Sequence, residues 1–419
     1  MQFHARGALY LDIALYTVSA AFAGYTALWS NLPPHQFWGG VALGGYVPAA
    51  IISTVLLTRY AVPVVTRMWV SVAAVVAVTL MPLVAAAVDR ASGVADRAQE
   101  EVLVVEASGQ RLLDTGSPYL EAAHIADLPG NAQLLAYNPY QPGMAIFGLP
   151  RSLSATGWIG DARIWFALVT IAATLVALRL LTKAGMSRSV WIRGIQAVGV
   201  LPICALTLAT GGDDLPVLAL CLLAFACAAT DRPVSAGVAV GAAAALKLFA
   251  WPVLFVLAVF ALKRRFAGRF FPAAVALPVL SLLAALPNWN GFVDNVIAFP
   301  TGNGIVESPA ASPFPGYLIA NYLPAGGVIA VTVLAIAALA TAGYVIVRPP
   351  QYVSDVAAYC AAGLLIAILL LPASRFGYLL YPSVFAVWWW VLAQTREPYD
   401  PWRIARRLPF TSSLRRPVI

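Results

Sequence analysis

The sequence predicts an all-α, polytopic membrane protein with about twelve transmembrane helices. Three observations carry that expectation. Hydrophobic residues make up 61% of the 419-residue chain and charged residues only 11%, where a soluble domain carries about 25% charged residues. The mean hydropathy is +0.81. The apolar residues also fall into runs close to the roughly 20 residues that a spanning helix needs.

Taken in order, the runs cover 9–30, 37–58, 68–88, 162–182, 194–210, 214–230, 233–247, 249–262, 270–287, 326–347, 355–372 and 377–394. Those between 214 and 262 are short and crowded, so the count is least fixed there. The first run is not followed by a small-residue cleavage site and is expected to remain as a helix. Cys204, Cys221, Cys227 and Cys360 lie inside apolar runs without paired spacing, which predicts packing residues. His4, His35 and His124 are too few and too scattered for a metal site, and neither a metal nor another cofactor is expected.

The basic residues predict the orientation. With the N-terminus in the cytoplasm and strict alternation, 18 of the 26 Lys and Arg residues fall inside. Seven fall outside: Arg90, Arg97, Arg111, Arg151, Arg163, Lys247 and Arg375. Both termini are then cytoplasmic, and the long loops 89–160 and 288–325 face outward. The net charge of +8 reads as topology and attraction to the inner leaflet, not as nucleic-acid binding. Residues 1–395 form one membrane domain. Residues 396–419 form a short basic tail with Trp402, suited to a lipid surface.

Nine of the eighteen acidic residues lie between Asp89 and Asp161. Carboxylates beside a membrane are costly unless they have partners or work, so this loop is read as the working part. From about Ala98 to Asp114 it has helical spacing, with Val102, Val105, Leu112 and Leu113 on an apolar face, and Gly116 as the stop. A helix lying on the membrane surface is expected. Glu100 and Glu101 fall in its first turn, where the helix dipole favours acid in any case. Tyr119, Tyr137, Asn138 and Tyr140 sit in rigid Pro- and Gly-rich turns. They suit sugar hydroxyls, and equally a membrane interface.

The run Glu100-Glu101, Ala107, Leu112-Leu113, Thr115-Gly116 and Pro118-Tyr119 resembles the first outer loop of GT-C glycosyltransferases. This chain has Glu where those enzymes have Asp, Val where they have Tyr, and three preceding helices where one is typical. A second block resembles the core of glycosyltransferase family 87: Thr210-Gly211-Gly212-Asp213-Asp214, Asp231-Arg232-Pro233, Ala236-Gly237-Val238 and Ala243 through Lys247. Gly237 and Gly241 add small-residue spacing for close helix packing.

The resemblance implies a GT-C-like catalytic domain in a bacterial plasma membrane. It would transfer mannose, or second arabinose, from a polyprenyl-phosphate carrier to a cell-envelope glycan or glycolipid on the outer face. Inverting transfer needs a base for the acceptor hydroxyl. The candidates are Glu101, then Glu100, then Glu106, the last being about 500° around the helix from Glu101 and so on another face. The departing lipid phosphate needs cations. Lys247 and Arg375 are the candidates, with His124 nearby. Asp213 and Asp214 either cap the helix they open or orient the acceptor and Lys247. In the second loop Trp289, Asn290, Asp294, Asn303, Glu307 and Tyr317 are candidates for an acceptor groove.

Two other classes fit a chain of this kind: a twelve-helix transporter or lipid flippase, and a non-catalytic envelope-assembly protein. A transporter should carry charges near mid-membrane and broken helices in related halves, whereas here acid concentrates in one outer loop.

Overall fold

The structure is a computed structural model and describes residues 2–394 except 60, 155–156 and 302–303. The predicted tail at 396–419 and Asn303 therefore lie outside the described residues. Among the described residues the chain is helical throughout, with a single isolated β-bridge between Ala311 and Ser374.

Helices α1 (Gln2–Trp29) and α2 (Pro33–Leu57) form a hairpin. Helix α3 (Val64–Val75) passes through a π-helical turn, Val76–Leu80, into α4 (Met81–Ala91). The first long loop carries α5 (Glu100–Thr115), α6 (Ala122–Ala126), α7 (Gly130–Ala136), a 3-10 segment at Pro142–Gly148, and α8 (Leu149–Ser154). Next come α9 (Ala162–Lys183), α10 (Arg188–Gly199), α11 (Pro202–Thr210), α12 (Asp214–Ala229), α13 (Pro233–Leu246), α14 (Ala250–Lys263) and α15 (Ala267–Leu282). The second long loop carries α16 (Trp289–Phe292) and α17 (Pro315–Tyr322). The chain continues with α18 (Gly326–Val347), α19 (Val353–Leu370) and α20 (Leu380–Ala393).

Each of the twelve predicted runs is helical, yet among the described residues only seven helices are long and apolar enough to cross a membrane, or up to nine if each bent pair is one span. The bent pairs are α10–α11, at 49°, and α15 with the segment reaching Ala298, at 45°. Helices α12, α13 and α14 have 16, 14 and 14 residues. Fourteen residues rise only about 21 Å, short of the ~30 Å hydrocarbon core. What shortens them is polar: α12 starts at Asp214 and α13 stops before Lys247. The α10–α11 bend falls at Pro202, which cannot donate to the helix ladder. Side chains take up the freed carbonyls there. Tyr46 Oη donates to Val200 O at 2.6 Å and Thr79 Oγ1 to Gly199 O at 2.8 Å, as an apolar surround requires.

Close packing rests on small residues where it was expected. A Cβ on Gly237 would meet Phe270 O at 2.5 Å, and one on Gly241 would meet Ala274 O at 2.5 Å, so α13 lies directly on α15. Helix α5 stops at Gly116 as the sequence predicts, left-handed at φ 75°, and begins at Glu100, two residues after the expected Ala98. Its apolar face differs from the expected one. Val102, Val104 and Val105 are buried, while Leu113 is exposed. A Cβ on Gly109 would stand 2.4 Å from Gly148 C, so α5 is pressed against the Pro142–Gly148 segment instead of lying free on a surface.

At the other end of the bundle, a polar cluster joins α1, α3 and α10. Asp12 accepts from Arg67 Nε at 2.6 Å and from Arg193 Nη1 at 2.7 Å. Gln196 Nε2 lies 3.0 Å from Asp12 Oδ1 and 3.0 Å from Ser71 Oγ.

Candidate active site

Four pieces of chain distant in sequence converge on one cavity of about 320 Å³. The start of α5 brings Glu100 and Glu101. The Gly-Gly-Asp-Asp turn before α12 brings Asp213 and Asp214. The end of α13 brings Lys247, and the turn before α20 brings Arg375. Tyr137 and Tyr140 of the first loop also border the cavity, as do Ser308 through Ala310 of the second. One wall is apolar, formed by Phe249, Pro252, Leu364 and Leu371 from α14, α19 and their flanks.

The turn at 211–214 owes its position to glycine. Gly211 has φ 115°, a conformation that a side chain resists, and a Cβ there would lie 2.1 Å from Val102 Cγ2. The turn is thereby seated directly on α5. Gln99 fixes the same junction: its backbone N–H donates to Thr210 O at 2.9 Å, and Thr210 Oγ1 lies 2.7 Å from Gln99 Oε1. The two acid-bearing tips are thus joined one residue before Glu100 and three before Asp213.

Asp213 and Asp214 do not cap α12, since no side-chain cap bond is made at Asp213. Both hold Lys247 instead, whose Nζ lies 2.8 Å from Asp213 Oδ1 and 2.6 Å from Asp214 Oδ1. The ammonium also faces the rings of Tyr140 and Tyr378, with centroids at 5.3 and 5.6 Å, a cation–π arrangement. Lys247 is only 8% exposed and Asp213 is fully buried. Burial alone would lower the Lys247 ammonium, but the two carboxylates outweigh it and hold its pKa well above the usual lysine range. Burial pushes the Asp213 carboxyl up, to about 7, against the pull of Lys247. Across the cavity Arg375 forms an ion pair with Glu101. The cavity border therefore carries four carboxylates and two cations.

Glu106, the third candidate base, does not border this cavity. It faces away from Glu101, as its angular offset predicts, and accepts from Arg90 Nη2 at 2.6 Å, Arg151 Nε at 3.4 Å and Ala162 N at 3.1 Å. Arg90 also bridges to Asp161 at 3.0 Å, and Asp161 accepts from Arg163 at 2.8 Å. Burial alone would raise the Asp161 carboxyl, but Arg163 and Arg90 outweigh it and hold its pKa below the usual range. His124 is exposed on α6 and does not border the cavity.

Tyr119 and Asn138 are also drawn away from the cavity. Tyr119 Oη donates to Tyr140 O at 2.8 Å, and the Asn138 N–H donates to Asn295 Oδ1 at 2.6 Å. They lock the loop that presents Tyr137 and Tyr140. Tyr137 stacks on Phe299 at 4.3 Å. Of the second-loop candidates, Asp294 accepts from Ala122 N at 2.9 Å, and the parts of that loop that border the cavity are Phe299, Pro300 and the segment 308–310. The β-bridge ties the 308–310 segment to the Arg375 turn, with Ser374 N donating to Ala310 O at 2.9 Å.

Two residues escaped the sequence reading. Tyr378 borders the cavity, and Tyr381 Oη lies 2.9 Å from Asp214 Oδ1. Their signal was present: Arg375, Tyr378 and Tyr381 recur every three residues, which puts them on one helical face.

An all-α protein with several helices long and apolar enough to cross a membrane, and a charged cavity where loops meet helix ends beside apolar side chains, has the build of a membrane enzyme. The family model of glycosyltransferase family 87 matches residues 138–372, more than half of the chain, so the chain belongs to glycosyltransferase family 87 and is a membrane glycosyltransferase. Asp213, Asp214 and Lys247 lie within the matched stretch, whereas Glu100, Glu101 and Arg375 lie outside it. Neither the curated proteins nor the solved structures hold a match.

Proposed function

We propose that the chain transfers a sugar, mannose first and arabinose second, from a polyprenyl-phosphate carrier to a cell-envelope glycan or glycolipid. The reaction takes place on the outer face of a bacterial plasma membrane, with both termini in the cytoplasm. The observation that supports this reading is the pairing of a charged end with an apolar wall in one cavity. A donor with a phosphate head and a hydrocarbon tail has the same two halves.

In this reading Lys247 and Arg375 hold the phosphate and Glu101 is the base for the acceptor hydroxyl, with Glu100 exposed beside it. Arg375 is paired with Glu101, and a phosphate ester is the natural competitor for a guanidinium. Donor phosphate drawing Arg375 away would free the Glu101 carboxylate as the donor arrives. Transfer in a single displacement at the anomeric carbon inverts it. Asp213 and Asp214 orient Lys247, and Tyr137 and Tyr140 face the sugar. Glu106 serves as an ion-cluster residue behind the base. Residues 1–395 then act as one catalytic domain.

The test is transfer by the purified chain in reconstituted vesicles, with radiolabelled polyprenyl-phosphate-mannose or polyprenyl-phosphate-arabinose and crude envelope lipid as acceptor. The expected result is label in the acceptor with inverted anomeric configuration. No transfer from either donor would sink the proposal.

A further inference from the structure

We propose that Asp213 delivers a proton through Oδ2 to the departing phosphate of the sugar donor. The proposal rests on the reading of the cavity as the site of a phosphate-linked donor. Its geometric basis is one atom. Asp213 Oδ1 accepts from Lys247, but Oδ2 is buried and has no hydrogen-bond partner among the described residues. Asp214 beside it also takes its partners on Oδ1, but three other buried acids of the chain differ. Asp12, Glu106 and Asp161 each engage both oxygens with arginines, glutamine or backbone N–H. A buried carboxylate oxygen without a donor is costly. A carboxyl that carries its proton there is instead a hydrogen-bond donor seeking an acceptor, and Asp213 borders the cavity.

Charge balance points the same way. Four carboxylates and two cations already surround the cavity, and the departing phosphate gains a further negative charge as the anomeric C–O bond breaks. The groups facing Asp213 are Asp214 beside it, Lys247 at the end of α13, Glu101 on α5, Tyr140 of the first loop, and Tyr381 of α20. Lys247 is a poor proton source, because two carboxylates hold its proton. Burial lifts the Asp213 carboxyl to about 7, where it can both hold a proton and release it near neutral pH.

The step balances. The acceptor oxygen bonds to the anomeric carbon as the carbon–oxygen bond to phosphate breaks, and that electron pair stays on the phosphate. Glu101 takes the acceptor's hydroxyl proton, and Asp213 gives its own to the phosphate. The products are the glycoside and a singly charged polyprenyl hydrogen phosphate. A proton passing from Glu101 back to Asp213 resets the enzyme.

The experiment is a pH–rate profile of the full-length chain in vesicles. It compares wild type with Asp213→Asn, using polyprenyl-phosphate-mannose and its thiophosphate analogue, whose departing group is a weaker base. Wild-type kcat is expected to fall as pH rises through about 7, as Asp213 loses its proton. Asp213→Asn should lose that limb and about 100-fold in kcat, within the usual range for a general acid. Its defect should shrink with the thiophosphate donor, which a merely structural role would not produce. A limb that persists in the variant, or an equal defect with both donors, overturns the proposal. Should Asp213→Asn not fold, the wild-type profile decides. An alkaline limb that weakens with the thiophosphate donor supports the proposal, and its absence overturns it. If wild type transfers sugar from neither donor, the reading of the site itself fails and takes this step with it.

Discussion

Two regions of buried charge in this chain are built in opposite ways. In the first, at Asp12 with Arg67 and Arg193 and again at Glu106 and Asp161 with Arg90, Arg151 and Arg163, every acid meets at least as much positive charge and both carboxylate oxygens are used. In the second, the cavity, acids outnumber cations and one buried oxygen has no partner among the described residues. A balanced cluster holds helices together and has nothing left to offer a ligand. An unbalanced one is costly to keep, and a substrate is what could justify it. Balance therefore separates carboxylates of the same loop that lie only five residues apart, Glu101 and Glu106.

The comparison can be broken most severely at Asp12. Replacing it by Ala leaves Arg67 and Arg193 without their acid. Loss of one partner of a buried pair costs about 3–5 kcal/mol, so Asp12→Ala should unfold at markedly lower temperature in detergent, while the folded fraction transfers sugar at the normal rate. A large fall in kcat per folded molecule would show that the balanced cluster is part of the reaction. Lys247→Met is expected to do what Asp12→Ala does not. It should lower thermal stability and also cost at least ~100-fold in kcat/KM, measured with saturating acceptor, because the cation is lost at the phosphate. Intact turnover in Lys247→Met would contradict its role. The smallest effect is expected for Glu106→Gln. The amide keeps the shape but only one of the two accepting oxygens, so some of the arginine or backbone contacts are lost; Arg90 keeps Asp161, and kcat should stay within about threefold while the melting temperature falls by a few degrees.

Much of this was legible in the sequence. The positions of all twelve helical runs followed from apolar length, and the grouping of Lys247, Arg375 and the first loop at one end followed from the alternation of basic residues. The stop of α5 at Gly116, and the placing of Glu100 and Glu101 in its first turn, were written in local chemistry, although the spacing predicts a start at about Ala98. What could not be read was depth. Hydropathy finds an apolar helix of 14 residues as readily as one of 22, so it could not tell that α12 through α14 fall short of a full span. Spacing could exclude Glu106 from the face of Glu101, but it could not supply Arg90, Arg151 and the Ala162 N–H as its partners, because those contacts join residues far apart in the chain. For the same reason Asp213 and Asp214 could be either caps or partners of Lys247 until the turn at Gly211 placed them on α5. Tyr378 and Tyr381 were visible as a three-residue repeat and lacked only the carboxylate they face.

The measurement that tests the central claim most directly is single-turnover transfer from radiolabelled polyprenyl-phosphate-mannose by wild type and Glu101→Gln, with donor affinity and melting temperature measured on the same preparations. The account predicts a loss of about 100-fold or more in the transfer rate, with folding intact and donor affinity unchanged or tighter, because Arg375 loses its competing carboxylate. Transfer at the wild-type rate by folded Glu101→Gln would contradict it and move the base to Glu100.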